Sequence, residues 1–245
     1  MIKTISNLLQ QDKEKYRVPR RVQDVIPIRR IWPDGIFLVG SKYSKMYRFT
    51  DINYLVASRA DKESMFLMYS ELLNSLDAGA TVKITINNRR LNRVNFEKNI
   101  LMPLCGDARD IYRREYNQML LDKAMEGNGI IQEKYITVTV LKKDVEEARA
   151  YFARTGADLC SHFAALGAKC TELDATERLR VLHDFYRVGE EVDFHFDAKD
   201  MMQKGHDFRD YICPDSIEKT SDRLKLGKRF CRVLYLKDYA SYIKD

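Results

Sequence analysis

Apolar residues recur at helical spacing in four stretches of this chain, and each stretch has its own start and stop. In the first, the Ser58 hydroxyl stands where it can accept from a free N–H of the opening turn, and Asp61 lies near the positive end of the helix. Met65, Phe66, Tyr69, Leu72, Leu73 and Leu76 then follow on one side until Gly79 stops the pattern. Three further helices are predicted over 107–126, 144–166 and 174–188, ahead of Gly127, Gly167 and Gly189. Asp144 with Glu147, and Asp174 with Glu177, repeat the acidic first turn.

Strand patterns alternate with these helices. Residues 80–86, 135–141 and 168–173 alternate apolar side chains with Thr, Lys or other polar ones, as in strands with one face on a core and one toward water. Residues 34–52 hold two short apolar runs around a polar Gly-Ser-Lys-Tyr-Ser-Lys segment, which predicts a hairpin. The expectation is an α+β fold, a largely antiparallel sheet packed against four main helices as a two-layer sandwich.

Outside this region the periodicity fades. Residues 1–27 carry Pro19 and Pro27 among charges and read as a basic, partly mobile lead-in to a core domain spanning 28–189. Residues 190–245 read as a charged, aromatic linking segment and then a C-terminal hairpin, expected to pack on the core and to be cut off before a further domain. The hairpin turn is Gly227-Lys228, a pair that suggests a phosphate-binding loop. Such a loop needs an earlier glycine and a following Ser or Thr, because backbone N–H groups wrap the phosphates while the hydroxyl holds magnesium. Asp222 and Arg229 occupy those two positions, so a β-turn is expected there instead.

Charge adds one asymmetry. The net +6 arises almost entirely at one end: residues 1–50 hold 11 Lys/Arg against 4 Asp/Glu, or +7, and the remainder holds 31 against 32. This arm suits nucleic acid, anionic lipid or an acidic protein surface, or it is simply a solvated lead-in. The longest apolar runs fall far short of the roughly 20 residues of a membrane-spanning helix, and no signal-peptide pattern opens the chain. Five cysteines, at 105, 160, 170, 213 and 231, form no Cys-x-x-Cys pair and read as reduced thiols of an intracellular protein.

Candidate chemistry is sparse. Asp193, His195, Asp197, His206 and Asp207 combine imidazole and carboxylate, but without a zinc or facial-triad spacing they read as a solvated loop, so no metal is expected. His162 and His183 lie inside helix patterns without a ligand partner three or four residues away. Cys160 and His162, two apart on a helix, point in different directions and cannot act as nucleophile and base. The most basic short run, 87–93, follows a predicted strand as a loop; with Arg113 and Arg114 it is a candidate phosphate-contact patch, although no aromatic side chains interleave it for base stacking.

Five segments carry a family resemblance: RIWPDGIFLV from Arg30, YRFTDINY from Tyr47, FDAKDMMQKG from Phe196, YICPD from Tyr211 and LGKRFCRVLYL from Leu226. Together they make 22–245 resemble the N-terminal part of conjugal-transfer ATPases, the VirB/TraC-type motors of type IV secretion systems, of the kind carried on integrative elements of Gram-positive bacteria. One departure is Tyr239-Ala240, where relatives often have Tyr-Pro. The resemblance implies a chain that is not itself an enzyme, with ATP and magnesium used only by a motor domain that follows it. It also implies a cytoplasmic location, peripheral to the inner face of the membrane, with inner-membrane channel proteins and further copies of the full-length protein as partners. The surface expected to make contact is basic: Arg17, Arg20, Arg21, Arg29, Arg30, Arg89, Arg90 and Arg93. The alternative reading is a stand-alone nucleic-acid-binding protein that uses the arm and the 87–93 loop.

Overall fold

The computed structural model describes residues 19–52, 54–90, 100–126, 130–190, 193–197, 199 and 206–236, which form an α+β fold with antiparallel sheets. The chain groups into two compact units, Ile28–Ile212 and the two chain ends, Met1–Pro27 with Cys213–Asp245. Residues 190–212, taken from the sequence as the start of a linking segment, group with the larger unit.

The larger unit is built on strands β1 (Ile28–Ile31), β2 (Phe37–Val39), β3 (Lys42–Phe49), β4 (Thr81–Arg90), β5 (Ile130–Val140) and β6 (Cys170–Glu172). The order is β1-β2-β3-β5-β4, every described pairing being antiparallel. β5 pairs with β3 from Tyr43 to Phe49, while β2 and β6 pair with its Lys42–Ser44 and Tyr47–Phe49 portions. Its helices are α1 (Arg59–Asn74), α2 (Asp110–Glu126), α3 (Val145–Ala165) and α4 (Ala175–Tyr186).

Three of the four predicted helix starts are borne out atom by atom, while the helix expected from 107 begins at Asp110. The Asp61 N–H donates to Ser58 Oγ at 3.2 Å, the Glu147 N–H to Asp144 Oδ1 at 2.9 Å, and Asp174 with Glu177 forms a reciprocal capping box. In α3, Ala148, Tyr151, Phe152, Thr155, Gly156, Leu159 and Phe163 are buried, a stripe at intervals of three and four that faces β3 and α1. It meets Tyr43, Tyr47, Ile136, Val138 and Val140 of the sheet and Leu72 of α1. Side chains buried this completely contribute about 2 kcal/mol each. Tyr47 illustrates how close the layers come: it is fully buried, and its hydroxyl donates to the Phe152 carbonyl at 3.3 Å. A Cβ on Gly156 would stand 3.0 Å from the Tyr47 ring, so α3 has no room there for a side chain.

A buried arginine holds the other face of the sheet. Ser44 points away from Tyr43 and Tyr47, and there Arg178 of α4 donates to the carbonyls of Gly35 and Ser44, each at 2.7 Å, and to Ser44 Oγ at 3.2 Å. Its guanidinium carbon lies 3.9 Å from the centre of the Phe37 ring.

The sequence placed a loop at 87–93. Residues Asn87–Arg90 instead continue β4, opposite Ile130–Glu133 of β5. The ladder of backbone hydrogen bonds extends the ribbon, and Gln132 Nε2 donates to Asn88 Oδ1 at 3.2 Å across it. Polar residues on both faces hide this extension from any search for apolar alternation. Residues 91–93 lie outside the described residues. β1 was also missed, being four residues long with two exposed arginines at its centre.

Ahead of α2, chain 102–106 is bound by side chains of the helix. The Asn117 amide exchanges two hydrogen bonds with the backbone of Met102, and Asp110 accepts from the Cys105 and Gly106 N–H groups at 3.0 and 2.8 Å and from Arg113 at 2.6 Å. These donors, the Cys105 N–H first and then Arg113, hold the Asp110 carboxyl below its usual range. A carboxyl with a lowered folded pKa stabilises the structure above its unfolded value near about 4, and that stabilisation is lost as pH falls through the folded value. Cys105 and Gly106 amide exchange, corrected for the intrinsic pH dependence, is therefore expected to accelerate below about pH 4. In Asp110→Asn it should be fast already at neutral pH, without the acid step.

The smaller unit contains a 3-10 turn at Val22–Val25 and a three-stranded antiparallel sheet of β7 (Ile217–Lys219), β8 (Leu224–Leu226) and β9 (Arg229–Cys231). Gly227 and Lys228 form the predicted two-residue turn, with Leu226 opposite Arg229 and Gly227 at φ 55°.

Candidate interaction surfaces

Of the eight basic residues singled out by the sequence, the four described in the larger unit do not form one patch. Arg20 and Arg21 are exposed in the smaller unit, and Arg29 and Arg30 are exposed on β1, where Arg30 lies 5.1 Å from the Trp32 ring centre. Arg89 and Arg90 lie in β4, at the opposite edge of the sheet from β1. Four inter-strand steps separate those edges, about 19 Å at the usual spacing. Arg17 and Arg93 lie outside the described residues. Arg113 is held by Asp107 and Asp110, and Arg114 is exposed.

Exposed apolar side chains form a second kind of surface, which takes in Phe66 of the stripe predicted for α1. Met65 and Leu72 of α1 and Leu76 just beyond it pack inward, whereas Phe66 is 67% exposed and Leu67 62%. Along the sheet, Ile136 of β5 is buried, but its neighbour Ile84 on β4 and the next residue on that face, Ile86, are 43% and 57% exposed. The described helices bury Tyr47 of β3 and Ile136 and Val138 of β5 and leave Ile84 and Ile86 of β4 exposed. Ile111, Tyr112 and Met119 of α2 are exposed as well. A helix position next to an apolar stripe reads as core from sequence alone; only the packed neighbours decide it.

The histidine-rich segment forms the wall of a cavity of about 440 Å³. It gathers Asp193, His195 and His206 with His183 of α4, between the rings of Phe194 and Tyr211. Asp197 is not on that wall, and Asp207 caps a short 3-10 turn, accepting from the Arg209 N–H at 3.2 Å. Among the described residues no three His, Cys, Asp or Glu side chains stand close enough to hold a metal ion. His183 is 3% exposed, and its Nδ1 lies 3.7 Å from Asp184 Oδ1, both atoms buried without a hydrogen-bond partner.

Nor do Cys160 and His162 face each other as nucleophile and base. The Cys160 thiol donates to the Cys170 carbonyl at 3.6 Å, and the His162 ring is hydrogen-bonded to the Asp158 carbonyl at 2.8 Å. Burial, together with neighbouring Cys160, pushes the Cys170 thiol up to about 12, so it stays protonated at neutral pH. Among the described residues no helix is long and apolar enough to cross a membrane. The chain matches no protein-family model and no curated protein sequence.

Proposed function

We propose that this chain is a non-catalytic assembly and docking domain, the N-terminal part of a conjugal-transfer ATPase that supports DNA transfer through a type IV secretion channel. On this reading it works at the inner face of the membrane, against channel proteins and neighbouring subunits, and a following motor domain binds ATP and magnesium. The observation that carries it is the set of large apolar side chains left in water on ordered elements, Phe66 and Leu67 of α1 and Ile84 and Ile86 of β4. A chain that keeps such groups exposed on a packed framework is built to cover them against a partner. The five sequence segments that resemble conjugation ATPases suit the same kind of assembly. One of them, RIWPDGIFLV, supplies the β1–β2 turn on which the start of α4 rests, a structural role suited to a framework domain.

The test uses the 245-residue chain. ATP binding and hydrolysis are expected to be undetectable, and turnover by the purified chain would sink the proposal. The chain should be retained on anionic vesicles, with retention falling when Arg17, Arg20, Arg21, Arg29 and Arg30 are neutralised. The nucleic-acid reading predicts instead a DNA affinity that falls steeply with salt. It needs its arginines on one surface, and β1 and β4 stand at opposite edges of the sheet.

A further inference from the structure

We propose that the outer edge of β4 is a docking site for an extended, acidic segment of a partner protein, which adds to the sheet as a further strand. β4 is ten residues long, about twice a typical strand, and stands at the end of the sheet. β5 pairs with all of it in unbroken register, and among the described residues no other backbone hydrogen bond reaches 81–90. Alternate N–H and C=O groups along the free side therefore have no backbone partner among the described residues. Such edges are usually blunted by a bulge, a proline, shortness or charge; β4 has only the last, as cations, which repel a basic strand and not an acidic one. It also presents Ile84 and Ile86, which an added strand would flank with its own apolar residues.

Charge selects the occupant. Along its ten positions β4 carries Lys83, Arg89 and Arg90 and no Asp or Glu. A second copy paired antiparallel about Ile86 would set Lys83 opposite Arg89, like charge against like. The nearest acid on the neighbouring strand is Glu133, opposite Asn87, and it already accepts from the Tyr135 hydroxyl at 3.0 Å. A segment alternating apolar and acidic residues would instead meet the isoleucines and the cations together. This site deepens the docking reading yet stands without it: ATP turnover would overturn that reading and leave the edge of β4 untouched.

The probe is a labelled, end-blocked peptide of alternating valine and glutamate as long as β4, with a valine–lysine peptide as its counterpart. The glutamate peptide should bind the 245-residue chain at least about tenfold more tightly, as several attractive cross-strand pairs become repulsive in the other. Its binding should slow amide exchange at alternate positions of 81–90. Lys83→Glu, an exposed change, should narrow the preference. Equal binding of both peptides, no binding, or slowed exchange confined to other elements would overturn the proposal. So would protection of 81–90 that grows with protein concentration in the absence of peptide, because a second copy would then be the occupant.

Discussion

Gly35→Ala is expected to destabilise the larger unit by at least about 3 kcal/mol, read as a fall in the urea midpoint at unchanged slope. Gly35 lies in the tight turn between β1 and β2 at φ 77°, a left-handed conformation that costs any other L-residue about 1 kcal/mol. The larger part is steric. A Cβ there would sit 2.0 Å from the Leu173 carbonyl oxygen and 3.2 Å from the Asp174 carbonyl carbon, at the junction of β6 and α4. These are backbone atoms and cannot rotate aside. Leu173 is itself fixed by its N–H to the Met46 carbonyl at 3.1 Å, and Ala175 by its N–H to the Pro33 carbonyl at 3.3 Å. Gly40→Ala provides the control, because Gly40 also has a positive φ, 61°, but open space around it. It should cost only about 1 kcal/mol. Equal losses in the two variants would mean that the close approach of turn and helix is not what Gly35 serves.

That turn also shows where the sequence stops being informative. Caps and stops of the helices were legible because they depend on residues three or four apart, as with Asp174 and Glu177. The extent of α3 was legible from its acidic start at Asp144 and its stop at Gly167. Gly35 and Leu173 are far apart in the chain, and no local pattern announces that one must lack a side chain for the other to fit. The part of the candidate surface on the larger unit is divided for the same reason. Arg30 and Arg90 both looked like parts of a basic patch, but strand order, a long-range property, sends them to opposite edges. The exposed face of α1 was hidden differently: Phe66 and Leu73 extend a valid helical stripe, and only the width of the cover above it leaves them in water.

Arg178→Ala is expected to cost about 3 kcal/mol, because two buried carbonyls and a hydroxyl lose their donor while a cavity opens beside Phe37. The position is unusual in that the guanidinium is buried and its hydrogen-bond partners among the described residues are all uncharged. Burial pulls its pKa down to about 9, still above neutrality, so the cation is retained and its desolvation opposes folding. What offsets that cost is geometry: one planar fork reaches Gly35, Ser44 and the face of Phe37 at once, fastening α4 to the turn and to β3. Arg178→Lys keeps the charge but has a single donor head and no plane to stack, so it should recover less than half of the loss. Arg178→Met removes the charge and fills the space. If the hydrogen bonds carry the stabilisation, Met remains well below the parent in a urea titration, since the Gly35 and Ser44 carbonyls lose their shared donor. If Met matches or exceeds the parent, the cation is a net burden on the fold and the docking of α4 rests on packing by Leu179 and Ala175 instead.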